Sequence, residues 1–296
     1  MTAHMDTVPT ERIVPVIREG IVYSQGDTIL GADDKAGLAI ILEILTVLAE
    51  KDGPYRPVEV LFTVGEETGL RGAKAVDVSH FKAKMGLGLD AAGDPGAMIV
   101  HAPSQDPWQA RVHGRAAHAG ANPEAGINAI LVAAEGIVHM PLGRIDAETT
   151  ANIGIIRGRR ATNVVPDLVE LYGEARSRDE KKLEAQIRAM SDALQQSAQA
   201  HGATVDIQVS RSYKRYHFAE DAPIVRLLSK AMRSVGVEPL LVPTGGGSDS
   251  NVLIARGIDI IQMSLGMHAV HTNDEHIAID DLETSARIVL ACLISD

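Results

Sequence analysis

Between about Gln105 and Tyr213 the sequence changes rhythm, and that change limits the fold more than any other feature. "WQARVHG" alternates apolar and polar residues as a strand does, and "GINAILVAAEGIVHM" has helical spacing. "TTANIGIIRG" and "LVELYGEARS" alternate again. "DEKKLEAQIRAMSDALQQSAQAHG" is a long amphipathic helix, and "TVDIQVSRSY" closes with a strand. The order β-α-β-β-α-β is ferredoxin-like. On both sides of it the pattern is α/β. "KAGLAIILEILTVLAEKDG" reads as a helix with an acidic start at Asp33 and Asp34 and a glycine stop at Gly53, followed by the strands "VEVLFTV" (58–64) and "MGLGLD" (85–90). After Tyr213 come "DAPIVRLLSKAMRSVG", "PLLVP", a helix after "TGGGSDSN", the strand "IDIIQMSL" and the helix "DLETSARIVLACLIS". The simplest chain that does this is one α/β domain, residues 1–104 with 216–296, interrupted by an inserted α+β domain, residues 105–215. Strands alternating with helices indicate a mostly parallel sheet covered on its faces.

In such a sheet, sites form where strands end and loops begin, and the acidic residues collect there. "TAHMDTV" puts His4 and Asp6 two residues apart, so that a strand would show them on one side. "GADDKAG" precedes a helix, "FTVGEETG" ends a strand with Glu66 and Glu67, "GLGLDAAGDPG" ends another with Asp90, and "GMHAVHTNDEH" follows "IDIIQMSL". Each alone has a plainer explanation: aspartates before a helix are caps, and a glutamate pair at a strand end is a solvated loop. Together they fall on one edge of the sheet.

Two histidines and several carboxylates in one pocket repel themselves unless cations fill it. Imidazole with carboxylate oxygen and no thiolate suits zinc, with cobalt and manganese also compatible. In the Glu66-Glu67 pair one carboxylate can bind metal while its neighbour takes a proton from the attacking water. Charge agrees: 39 acidic against 28 basic residues give a net charge of -11, which attracts cations and argues against a nucleic-acid or anionic-membrane partner. The single cysteine, Cys292, lies in the apolar run "IVLACLI", which removes a disulfide framework and suggests the reducing cytoplasm. "LAIILEILTVLA" is too short to span a bilayer and carries Glu43. "TGGGSDSN" has the look of a phosphate cradle but lacks the lysine of a P-loop.

The ordered set H-x-D, A-D-D-K-A-G, G-E-E-x-G, L-D, R-A-A-H-A-G, T-N-V-V-P, G-G-G-S-D and H-T-x-x-E resembles the M20 metallopeptidase family, in particular its peptidase T-like aminotripeptidase group, over essentially the whole chain. The resemblance implies a zinc-peptidase-type three-layer α/β/α catalytic domain, with the ferredoxin-like insertion serving as lid and homodimer interface. It implies two zinc ions, one held by His4 and Asp90, the other by Glu67 and His271, with Asp33 bridging both. Asp6 would orient His4, and Glu66 would be the general base. His118 would reach a dimer partner's active site to polarise the scissile carbonyl. Asn163 and Arg176 would hold the substrate's carboxylate end, and Gly246 would line the cleft with its backbone. A cis peptide between Asp33 and Asp34 is implied too.

The expected activity is hydrolysis of short peptides, as an aminopeptidase. The short carboxylate of Asp90 resembles that branch more than the carboxypeptidases. Two alternatives stand beside it: a non-catalytic M20-like dimerising chain, and an amidohydrolase of N-acyl amino acids. Relatives carry a strand leading into H-x-D, whereas here Met1 stands where that strand finishes. The expectation from sequence is therefore a truncated N-terminus with His4 poorly supported.

Overall fold

The computed structural model describes residues 1–50, 53–158 and 161–294. It divides into two compact units, Met1–Ala102 with Tyr216–Asp296, and Pro103–Arg215.

The larger unit is built on a mixed, largely parallel sheet. Its strands run in the order Tyr216–His217, Ala97–Ala102, Asp259–Ser264, Met85–Ala91, Thr2–His4 and Leu61–Thr63, and Leu240–Pro243 also pairs with Ala97–Ala102. Alternation along Asp259–Ser264 shows why both faces are covered. Ile261 and Met263 enter one core with Ile40, Ile44, Leu228 and Ile288, from the helices Ala32–Glu50, Pro223–Ser234 and Ile279–Ile294. Ile260 points the other way, to Leu253 and Val76 beside the short helices Asp249–Ile254 and Arg71–Ala75. Each large apolar side chain removed from water in this way contributes about 1.5–3 kcal/mol. Among the described residues, no helix is long and apolar enough to cross a membrane.

The strand expected over 58–64 shortens to Leu61–Thr63. Its partner is only Thr2–His4, and the register Thr2↔Leu61, Ala3↔Phe62, His4↔Thr63 uses all three residues. The preceding backbone is still engaged, since the Met1 amino group donates to the Glu59 carbonyl at 2.8 Å. Two features were not anticipated. Ala97–Ala102 is a strand of the main sheet, and Pro15–Arg18, Ile21–Ser24, His276–Ala278 and Met267–His268 form a separate small sheet.

The smaller unit is an antiparallel sheet in the order Thr204–Val209, Ser104–His113, Leu168–Ser177, Thr149–Gly158, Gly143–Arg144. The helices Ala129–His139 and Glu180–His201 cover one face, around Trp108, Leu171, Met190 and Leu194. Trp108 is fully buried and satisfies its indole by donating to Ser191 Oγ at 3.0 Å. Asp179 caps the long helix by accepting from the Lys182 N–H at 3.0 Å, and Gly202 ends it in the left-handed region at φ 69°.

Candidate metal centre and active site

Strand register brings the site together. Thr2 is level with Leu61 on one neighbour and with Gly88 on the other. Running on in parallel, His4, the Glu66-Glu67 turn and Asp90 all emerge at the same sheet edge, where Asp33 and Asp34, both with non-helical backbone, lead into the long helix.

His4 is 2% exposed. Its Nδ1 donates to the Asp6 carbonyl at 3.0 Å, with an Asp6 carboxylate oxygen at 3.5 Å, which turns Nε2 toward the carboxylates. Nε2 lies 3.0 Å from Asp33 Oδ1 and 3.4 Å from Asp90 Oδ1. The other oxygen of Asp33 lies 3.1 Å from His271 Nε2, which also stands 2.9 Å from Glu67 Oε1. Asp33 thus faces a different histidine with each oxygen. The Asp6 carboxylate accepts from the backbone N–H groups of Glu66 at 3.1 Å and Glu67 at 3.3 Å. The Asp33-Asp34 peptide is cis.

Asp34 enters the sequence reading only as part of the acidic helix start and of the implied cis peptide, without a role in the site. It is fully buried and accepts from the His4 N–H at 3.0 Å and the Gly37 N–H at 3.2 Å, so it ties the histidine strand to the helix start. Gly37 is obligatory there, because a Cβ would lie 2.2 Å from the Leu89 carbonyl oxygen and 2.4 Å from Asp34 Oδ1. Asp249, of the G-G-G-S-D motif, is also buried and receives the Thr63 hydroxyl at 2.5 Å. Glu275 accepts from the backbone N–H groups of Gly31 and Asp33. The signals for these supports were the second Asp of A-D-D and the last residues of two motifs.

The electrostatics are those of crowded, largely buried carboxylates. Burial, then the charge of Asp90, pushes Glu66 up to about 9. Burial lifts Asp90 to about 7 and raises Asp34, Glu67 and Asp249. Burial opposes protonation of His4, but Asp33 and Asp90 outweigh it and hold the imidazole up to about 12. Asp33 runs against its own burial and is held low by His4. Positive charge would relieve the pocket.

The donor set fits a cation. One donor atom each from His4, Asp33 and Glu67 lie within 4.8 Å of one another, as do those of His4, Asp34 and Asp90. In the second group the Asp34 oxygens already serve backbone donors, so His4, Asp33 and Asp90 are the better ligands. Imidazole and carboxylate without thiolate is the chemistry of zinc and its hard neighbours.

The remaining expected residues lie in the smaller unit or in a loop. His118 is exposed, and its Nδ1 accepts from the N–H groups of Gly120 and Ala121, both at 3.1 Å. The neutral ring therefore carries its proton on Nε2. Exposed Asn163 is brought beside it, its carbonyl accepting from the Ala119 N–H at 3.0 Å. Arg176 donates from Nε to Glu174 Oε1 at 2.7 Å. Gly246 donates to Thr244 Oγ1 at 3.1 Å, in the loop before the helix Asp249–Ile254.

Parallel strands delivering imidazole, carboxylates and a glutamate pair to one edge are an arrangement suited to a metal-dependent hydrolase. The chain belongs to peptidase family M20/M25/M40, whose model matches residues 1–295. It is 44% identical to the aminopeptidase PepT of Bacillus cereus, whose crystal structure superposes with a TM-score of 0.87 over 99% of this chain and 79% of that one. A tripeptidase structure from Staphylococcus aureus matches at 38% identity and a TM-score of 0.92, with the same coverages of 99% and 79%. The Bacillus subtilis protein YqjE is 42% identical over 293 residues, 99% of this chain and 79% of its own length.

Proposed function

We propose that the chain is a two-zinc aminopeptidase of short peptides, peptidase T-like. The observation that carries this is Asp33, with one oxygen toward His4 and the other toward His271. Such a carboxylate would hold two cations, one with His4 and Asp90 and one with Glu67 and His271. Bound there, the cations would supply Lewis acidity toward water and toward the peptide carbonyl. Glu66 is not among the ligands. It would take the proton of the attacking water and pass it to the leaving amine. Beside positive charge, Glu66 would fall from its raised value toward the range a base needs near neutral pH. Asp6 would steady both His4 and the Glu66-Glu67 turn. His118, as the family resemblance implies, would reach the active site of the dimer partner and there donate from Nε2–H to the developing oxyanion. Asn163 and Arg176 would take the substrate's carboxylate end, and the backbone around Gly246 would line the cleft.

The smaller unit would form the homodimer. Gly143–Arg144 pairs with only Thr150 and Ala151, so among the described residues the outer edge of Asn152–Gly158 is open. Ile155 and Ile156 on that edge, and Leu131 and Val138 on the adjacent helix, are exposed. Open edges and grouped apolar side chains are templates for pairing. Residence in the cytoplasm accords with the one cysteine, buried and unpaired.

The test is to incubate zinc-loaded chain with a free-amine tripeptide and with its N-acetyl counterpart. Release of the N-terminal residue from the first alone, abolished by chelator, is expected. Deacylation of the second in preference would overturn the aminopeptidase assignment.

A further inference from the structure

The glutamate that closes H-T-x-x-E, Glu275, has no part in the chemistry above, yet it is 1% exposed. Its carboxylate accepts two backbone hydrogen bonds from the segment that opens the long helix: Gly31 N–H to Oε2 at 2.7 Å, and Asp33 N–H to Oε1 at 3.0 Å. Asp33 is the residue whose oxygens face both histidines. His271, four residues before Glu275, has little packing of its own. Its side chain is 48% exposed, and its backbone is left-handed at φ 65°, as is that of Ala269 at φ 50°. The intervening turn is fastened by the Thr272 hydroxyl to the Ala269 carbonyl at 2.7 Å, and by the Glu275 N–H to the Thr272 carbonyl at 3.2 Å. An exposed imidazole is therefore carried on a loop whose buried end is fixed to the backbone of Asp33.

We infer that Glu275 is a positioning residue that sets the spacing between the Asp33 carboxylate and the His271 imidazole, and with it the affinity for the cation they share with Glu67. This rests on the metal-centre reading above. Two N–H donors require two acceptors, which a carboxylate has and a carboxamide lacks: in Glu275→Gln the amide NH2 faces a backbone N–H. A glutamate that merely capped the helix would matter for stability and leave cation affinity alone.

The experiment titrates the chelator-treated full chain with Co2+ against a competing chelator, following visible absorption of the bound ion. Wild type is expected to take two equivalents. Glu275→Gln should hold one of them roughly 10- to 100-fold more weakly, as loss of a ligand's hydrogen-bonded support does, with a changed absorption band. Glu275→Asp, which keeps both acceptors one methylene further back, should fall between, and it carries the comparison should the Gln variant not fold. Wild-type affinity and spectrum for both equivalents in the variants, whatever their unfolding midpoints, would overturn this inference alone. A wild-type chain that binds no Co2+ would overturn the metal-centre reading together with it.

Discussion

The Asp6 carboxylate accepts the backbone N–H of Glu66 at 3.1 Å, while the Asp6 carbonyl accepts Nδ1–H of His4 at 3.0 Å. One residue therefore fixes the ring of a metal-ligand candidate and the turn that presents the candidate base. Asp6→Asn should separate these tasks. The carbonyl contact survives, but an amide NH2 must sit against the N–H of Glu66 or Glu67. An unsatisfied buried donor costs about 1–3 kcal/mol. A lower urea midpoint together with slower peptide hydrolysis is expected, and an unchanged midpoint would show that the carboxylate is not needed to hold the turn.

Stability of chelator-treated protein should fall as pH rises. Glu66 and Asp90 have ordinary values of 4.5 and 3.8, and burial lifts them to about 9 and about 7 in the fold. Across that window the folded chain binds more protons than the unfolded one, so each rise in pH favours unfolding. His4 acts the same way above its ordinary 6.5, because it is held up to about 12. Asp33 runs oppositely, but below its ordinary 3.8, outside this window. The Met1 amino group, lowered by burial from 8.0 to about 6, opposes within it but is outweighed by Glu66, Asp90 and His4 together. The thermal midpoint at about pH 8.5 should lie below that at about pH 5.5, and saturating zinc should shrink the difference, since cations replace the protons. A flat or rising midpoint in chelator would contradict the crowding of these carboxylates.

Self-association should depend on the open edge of Thr149–Gly158. Ile155→Lys places a charge on the strand whose outer edge is open, without touching the Trp108 core. Light scattering should give a dimer for the wild-type chain and a monomer for the variant at the same concentration. A variant that stays dimeric would move the interface elsewhere.

Much of this was legible in the sequence where the physics is local. Leu168–Ser177 coincides with the segment "LVELYGEARS", because one buried face enforces alternation, and Thr149–Gly158 with "TTANIGIIRG", where only the first residues alternate in burial. The helix Glu180–His201 was legible from the amphipathic spacing of "DEKKLEAQIRAMSDALQQSAQAHG". Non-local pairing was not legible. Ile21–Ser24 is half-exposed and forms a hairpin with Pro15–Arg18, but its other edge pairs with His276–Ala278, far along the chain, and nothing in "IVYS" foretells that second pairing. In the site, residue types and order suggested which side chains meet. Support through the backbone stayed hidden, since Glu275 reaches Gly31 and Asp33 by a fold of the chain and His271 adopts a left-handed backbone that no glycine advertises.

The most direct measurement of the central claim is steady-state hydrolysis of a free-amine tripeptide by Glu66→Gln, with zinc content matched to the wild-type chain. The amide keeps the shape of the glutamate but cannot take a proton. Glu66 is half-buried beside the ligands rather than among them, so the expected result is unchanged zinc content with turnover reduced about 10²-fold or more. A variant that holds its zinc and keeps more than about a tenth of the wild-type rate, where loss of a general base removes far more, would contradict the mechanism at its centre.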